Sequence, residues 1–214
     1  DIITHYWEVG EGDPIILLHG GGAGADAYSN FKQNMPLFAE EGFRAIAFDA
    51  VGFGKSDKPP PEKFDYNLDA RGNQLLDFID ALELKNITLV GNSMGGGTSL
   101  GATLKSPSKI ERLILMGSAG RSKPTPGFKT LYNYQVSRES MYGVVNALTN
   151  DRFVVEEDLI NYRLALTQEP GTMEAYRATM INLNEIGIYF EEEELSSINQ
   201  NTLLIHGKND SVVP

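Results

Sequence analysis

The stretch Ile87-Thr-Leu-Val-Gly-Asn-Ser93-Met-Gly-Gly-Gly97 constrains this chain more than any other. Residues 87–90 are apolar or β-branched and run without polar alternation, the pattern of a central parallel strand buried on both faces. A Gly-x-Ser-x-Gly sequence follows at 91–95, and residues 98–104 have helical composition up to Ser106-Pro107. Between a strand and a helix this motif has a mechanical meaning. The turn holds the serine in a strained conformation with its hydroxyl exposed at the carboxyl edge of the sheet, and its neighbours must be small. Ser93 is therefore the candidate nucleophile, weighed against a plain glycine-rich turn. In a chain with 22 glycines the motif alone says little. A second match, Gly97-Thr-Ser99-Leu-Gly101, has no strand before it and reads as a decoy.

The rest of the chain supplies the context the motif needs. Residues 5–8, 15–18, 43–48, 112–116 and 202–205 read as further strands. Asp26 is placed to cap a helix running to about residue 38, and residues 68–84 show helical spacing through Leu75, Leu76, Phe78, Ile79 and Leu82. Short apolar strands alternating with helices imply right-handed βαβ units and a doubly wound, mostly parallel α/β sheet. The rhythm stops after Gly117. Residues 118–196 open on Lys123-Pro-Thr-Pro-Gly127, carry no strand signal, and contain several amphipathic helical stretches. An insertion there is placed to cover the carboxyl ends of the strands, so 118–196 is expected to be a helical lid on a core made of 1–117 and 197–214. The acidic run Glu191 to Glu194 reads as a solvated helical start, not a metal site.

Composition narrows the function classes. With 29 acidic against 18 basic residues the formal charge is −11, a surface that repels nucleic acid and anionic membranes. No apolar run approaches the eighteen or so residues that span a bilayer. The absence of cysteine excludes disulfides and thiol catalysis, and three scattered histidines do not suggest a metal cluster. No signal peptide is visible, so a cytoplasmic location is expected, although Asp1 is not a natural start.

His19-Gly20-Gly21-Gly22 follows a strand and precedes a helix. One reading is an oxyanion loop whose backbone N–H groups stabilise charge developing on a carbonyl oxygen. The rival is dinucleotide binding, with Gly20-x-Gly22-x-x-Ala25 as a loose fingerprint and Asp49 as the ribose-binding acid. That rival explains neither the Ser93 turn nor the helical insertion. Gly54-Lys55-Ser56 mimics a phosphate loop, but the required first glycine is Asp49 and the prolines at 59–61 forbid the following helix. In an order of serine, acid, histidine, Asp210 sits where the acid belongs, although an aspartate is common in any such turn. His206 lies on the strand and His19 points toward its own loop, so both read as structural. Arg163 shares a helical face with Leu159, Ile160 and Leu166. An arginine on an apolar stripe needs a partner, either a lid carboxylate or an anionic substrate gripped bidentately.

With these residues in place the chain resembles an α/β-hydrolase, and closely resembles the meta-cleavage product hydrolases, which cleave a carbon–carbon bond in ring-opened aromatic compounds. The resemblance is carried by His19-Gly-Gly-Gly-Ala-Gly-Ala25 with Ser29-Asn30, by Asp49-x-x-Gly-Phe-Gly-Lys-Ser56, by Gly91-Asn-Ser-Met-Gly-Gly96 and by Leu113-Ile-Leu-Met-Gly-Ser-Ala-Gly120. Asn146-Ala-Leu-Thr-Asn-Asp151 and Ile160-Asn-x-Arg163 are similar to the carbazole-pathway members in particular. The resemblance implies that Ser93 attacks a ketone carbon, that Asp210 orients a histidine, and that the N–H groups of Gly21 and Met94 form the oxyanion hole. It further implies that Asn30, Asn92 and Arg163 contact a small anionic dienoate substrate, Arg163 at its carboxylate. No metal and no organic cofactor is implied. The expected products are a carboxylic acid and a 2-hydroxypenta-2,4-dienoate, and a homo-oligomer is expected.

One departure is plain. The family's catalytic histidine belongs to a Gly-His-Trp segment after the helix that follows Asp210, and none of His5, His19 and His206 occupies that position. The resemblance therefore places the histidine beyond Pro214, the last residue of the sequence. Residues 1–214 alone are expected to be inactive and poorly soluble, with an open edge at 203–205. Two other readings stay open: a carboxylic ester hydrolase, and a ligand-binding receptor on the same fold.

Overall fold

The strand-like runs pair into one sheet in a computed structural model, which describes residues 2–121 and 123–214. The strands are β1 (Tyr6–Val9), β2 (Asp13–Leu18), β3 (Phe43–Phe48), β4 (Ile87–Asn92), β5 (Ile110–Met116) and β6 (Asn201–Ile205). Their spatial order is β1-β3-β2-β4-β5-β6. β1 pairs antiparallel with β3 and every other pairing is parallel. The missing polar alternation in β2 and β4 has a direct cause. Alternate residues feed two cores, Ile16, Leu18 and Leu89 on one face and Ile15, Leu17 and Val90 on the other. β6 ends the sheet, with Leu203, Leu204 and Ile205 exposed.

Strand order reverses between β2 and β4, since the chain runs outward to β3 from one and to β5 from the other. In an open α/β sheet the crevice at the carboxyl ends of such a pair is where ligands bind. The His19 loop leaves β2 and the Ser93 turn leaves β4, so topology alone brings the two motifs together.

The helix expected from Asp26 to about residue 38 is two helices. Asp26 does cap the first, accepting a bond from the Ser29 N–H, but α1 (Ala27–Phe31) stops and α2 (Met35–Glu40) begins after a turn. Pro36 is the reason: it has no N–H to give, its ring crowds the preceding turn, and it is tolerated at the start of α2. α3 (Leu68–Ala81) packs on α4 (Met94–Lys105). α4 starts directly after Ser93, earlier than its composition suggests, because close packing requires glycines there despite their poor helix propensity. Between β5 and β6 lie α5 (Pro126–Tyr132), α6 (Arg138–Leu148), α7 (Glu157–Thr167), α8 (Thr172–Glu185) and α9 (Glu192–Ser196). Glu191 and Glu194 form a capping box at the start of α9. Among the described residues, no helix is long and apolar enough to cross a membrane.

Candidate active site

Ser93 has φ 53° and ψ −115°, a positive φ on a residue that is not glycine. Such backbone strain of about 1–3 kcal/mol persists only where the surroundings impose it. They do so here. A Cβ on Gly91 would lie 2.5 Å from the Gly96 Cα, and one on Gly95 would lie 2.3 Å from the Leu18 carbonyl oxygen. The Ser93 N–H donates to the Met116 carbonyl at 3.0 Å, and the Ser93 carbonyl accepts from Gly96 and Ala119. The turn is thus fastened to β2 on one side and to the end of β5 on the other. Ser99, the decoy, is fully buried and bonds back to the Gly95 carbonyl at 2.9 Å.

The loop after β2 lies against this turn. A Cβ on Gly20 would sit 2.9 Å from Asn92 Oδ1 and 3.4 Å from Ser93 Cβ, and one on Gly21 would sit 2.9 Å from Met94 Sδ. Gly21, Ser93 and Met94 share the wall of one cleft. Asn30, on α1, donates from Nδ2 to the Asp26 carbonyl at 3.0 Å and accepts from the Gly20 N–H at 3.5 Å. Arg163, on α7, is 8% exposed and donates from Nη2 to the Ala23 carbonyl at 2.6 Å. Asn30, Asn92 and Arg163 therefore come from three separate elements and all touch the same glycine-rich loop.

Burial depresses the Arg163 guanidinium below its ordinary range, and the neighbouring Tyr176, Asp26 and Tyr134 oppose that fall. Its buried Nε has no hydrogen-bond partner among the described residues. Burial also pushes the neighbouring Tyr162 phenol well above its usual range, with Asp26 adding to the effect.

Asp210 lies in the turn after β6. Its Oδ1 accepts from the Val212 and Val213 N–H groups at 2.9 and 2.8 Å, and its Oδ2 would be 3.4 Å from a Cβ on Gly117. Ser93 follows β4 and Asp210 follows β6, with the end of β5 between them. The histidines are engaged elsewhere. His206 Nε2 donates to the Val213 carbonyl at 2.6 Å and is 3.8 Å from Asp210 Oδ2. His19 donates from Nδ1 to the Gly20 carbonyl at 2.8 Å and accepts at Nε2 from the Ala50 N–H at 3.0 Å, which fixes the neutral tautomer. His5 reaches Asp49 Oδ2 at 2.9 Å. From the start of the described chain to Pro214, which is exposed beside the buried Val212 and Val213, none of the three histidines hydrogen-bonds to both Asp210 and Ser93.

Asp49 is 1% exposed and also accepts from the Ala27 and Lys55 N–H groups. With every oxygen committed to joining three loops, it is not free to hold a ribose, and the dinucleotide reading fails. Lys55, in the phosphate-loop look-alike, spends its N–H on the same carboxylate. Among the described residues, no group of three or more histidine or acidic side chains is arranged to hold a metal ion.

The cleft at Ser93 is apolar: Phe128 and Leu131 of α5, Met180 and Leu183 of α8, and Ile188 face it, with Val212 and Val213 beside them. Sequence reasoning did not identify these residues, nor the contact between Asp26 Oδ2 and the Tyr162 hydroxyl. Arg163, Asn30 and Asn92 are not among the residues lining this opening; they border the adjoining glycine loop at Gly20, Gly22, Ala23 and Gly24.

Comparison with known proteins agrees with this geometry. Residues 13–214 match the family model described as alpha/beta hydrolase fold. The chain is 41% identical over 214 residues to 2-hydroxy-6-oxo-6-(2'-aminophenyl)hexa-2,4-dienoic acid hydrolase of Metapseudomonas resinovorans, covering 99% of this chain and 72% of that protein. It is similar to the meta-cleavage product hydrolase of Pseudomonas fluorescens IP01, with a TM-score of 0.91 and 32% identity over 100% of this chain and 79% of that one. A serine hydrolase involved in carbazole degradation gives a TM-score of 0.88 at 39% identity, covering 100% and 78%.

Proposed function

The chain belongs to the α/β-hydrolase fold family, among the meta-cleavage product hydrolases, and from that premise we propose that it hydrolyses a carbon–carbon bond in a 2-hydroxy-6-oxo-hexa-2,4-dienoate. The observation that carries this reading is the strained Ser93 turn facing Gly21 and Met94 in an apolar cleft, with a buried arginine behind the same loop.

The dienoate first ketonises, losing its 2-hydroxyl proton and taking one at carbon 5, which leaves a conjugated C2 carbonyl able to accept the electron pair of the C5–C6 bond. Ser93 Oγ then adds to the C6 carbonyl, and the N–H groups of Gly21 and Met94 receive the developing oxyanion. The C5–C6 bond breaks, its electron pair passes through the conjugated system to the C2 oxygen, that oxygen takes a proton, and 2-hydroxypenta-2,4-dienoate leaves. Water releases the acid from Ser93. Atoms balance as substrate plus water giving two products. Arg163, with Asn30 and Asn92, holds the dienoate end, while the apolar wall of α5 and α8 takes the substituent on the departing acid. We read residues 118–196 as the lid that closes this site. The three histidines present are bonded elsewhere, so none of them is read as the base that Asp210 would orient.

The test is turnover of a ring-opened dienoate by the full-length protein, followed by loss of its visible absorbance. Cleavage abolished in Ser93→Ala supports the reading. Preference for a p-nitrophenyl ester would make the protein an esterase, and binding without turnover would make it a receptor; either overturns the proposal.

A further inference from the structure

One buried carboxylate joins the two halves of the anion-binding end. Asp26 is 5% exposed and its two oxygens do different work. Oδ1 caps α1 by accepting from the Ser29 N–H at 2.8 Å, which fixes the short helix that carries Asn30. The Asp26 backbone carbonyl accepts directly from Asn30 Nδ2. Oδ2 accepts from the Tyr162 hydroxyl at 2.6 Å, across 136 residues of sequence. Tyr162 immediately precedes Arg163 on α7.

We propose that Asp26 is a positioning residue for the anionic end of the substrate, holding Asn30 through the α1 cap and Arg163 through Tyr162. The proposal rests on the reading of Arg163 as the partner of the dienoate carboxylate. Three features support it.

First, α7 meets the loop backbone to backbone. A Cβ on Gly24 would lie 2.2 Å from the Arg163 carbonyl oxygen, so small rotations of the helix move Arg163 against the loop. Tyr162 and the Arg163–Ala23 bond are the two polar fastenings described at this contact.

Second, Asp26 does not bond Arg163 itself. Among the described residues neither has an ion-pair partner within 4 Å. A direct pair would neutralise the arginine and compete with an incoming carboxylate. Acting through a neighbouring hydroxyl, Asp26 fixes the helix and leaves the guanidinium available. Third, Asp26 still contributes a favourable field at Arg163, where Tyr134 and Tyr176 are the other groups that face it and no basic side chain is among them. A cation buried this deeply is stabilised by such a field.

The test uses full-length protein with Tyr162→Phe, Asp26→Asn, Arg163→Ala and the double variant Tyr162→Phe/Arg163→Ala. Each is measured on a dienoate and on a neutral ester of similar bulk. Asparagine keeps the cap, so helix α1 survives in Asp26→Asn, and its loss should also fall on the dienoate more than on the ester. Tyr162→Phe should raise KM for the dienoate roughly three- to tenfold, the size set by one hydrogen bond, and should shift kcat less. Its effect should vanish in the Arg163→Ala background, because a positioning residue acts only through the group it positions. Additive losses in the double variant, or equal losses on both substrates, would overturn the proposal. Should Arg163→Ala itself fail to discriminate between the substrates, the assignment of Arg163 falls instead, a separable outcome.

Discussion

Gly24→Ala is the substitution whose cost can be worked most directly from the geometry. Two costs arise. Gly24 has φ +65°, a left-handed conformation that penalises an L side chain by about 1–2 kcal/mol. In addition, the new methyl would lie 2.2 Å from the Arg163 carbonyl oxygen and 2.7 Å from its carbon. Both neighbours are backbone and belong to α7, so no side chain can swing aside. Forcing such a contact costs about 1–3 kcal/mol. The total is about 2–5 kcal/mol, or a fall in Tm of about 4–20 °C at about 2–4 °C per kcal/mol for a chain of this size.

Gly42 separates the two costs. It has φ +82° with nothing within 4 Å of the position a Cβ would take. Gly42→Ala therefore carries only the conformational penalty, about 1–2 kcal/mol. Differential scanning calorimetry of both variants in full-length protein should show the larger loss for Gly24→Ala. Because the methyl displaces α7, Gly24→Ala should also lose dienoate turnover relative to ester turnover. Equal Tm losses for the two variants, or an unchanged substrate ratio in Gly24→Ala, would refute the argument that the glycine loop and the Arg163 helix are in backbone contact.

The other expected outcomes concern the candidate site and one buried phenol outside it. Ser93→Ala should cut carbon–carbon cleavage by several orders of magnitude while ketonisation, followed by absorbance, survives; Ser99→Ala, in a buried helix position, is the control and should change thermal stability more than turnover. Arg163→Ala should weaken transition-state binding of the dienoate by about 2–5 kcal/mol, as when one partner of a desolvated charge pair is removed, and should lower the dienoate-to-ester ratio of kcat/KM; an unchanged ratio would mean the arginine only holds α7. Alkaline stability should reflect Tyr66, whose phenol burial pushes from 10.0 to about 12. The native phenol keeps its proton where the unfolded one ionises, so its share of stability is whole below pH 10 and is lost as pH rises to about 12. Urea titrations between these limits should show a shallower decline in Tyr66→Phe.

What could be read from the chain beforehand was whatever a local pattern encodes. The Ser93 turn is a single stretch in which strand composition, small residues and helix follow one another, so its geometry was legible. The same holds for Asp26 as a cap, since capping involves residues three apart. The split between α1 and α2 was also written there, in Pro36, but a run of helix-compatible residues on either side masked it. Asp49 shows the opposite case. At the end of a strand it mimicked a ribose-binding acid, and only its bonds to His5, Ala27 and Lys55 reveal a structural knot.

Contacts between distant segments had no such signature. Nothing in the spacing of Tyr162 marks it as the partner of Asp26, which lies 136 residues away in sequence. That stripe pointed to a buried cation, but not to what shields it. The three-dimensional arrangement also resolves the mismatch between an acidic chain and the anionic substrate proposed for it. At physiological ionic strength charges are screened over about 8 Å, so most of the surface acids act weakly at the site. Arg163 is buried beside the glycine loop, and the nearby carboxylate of Asp26 has its oxygens occupied by Ser29 and Tyr162. An acid used in this way steadies the cation without claiming it, which on the proposed reading leaves the arginine's charge to be answered by the substrate.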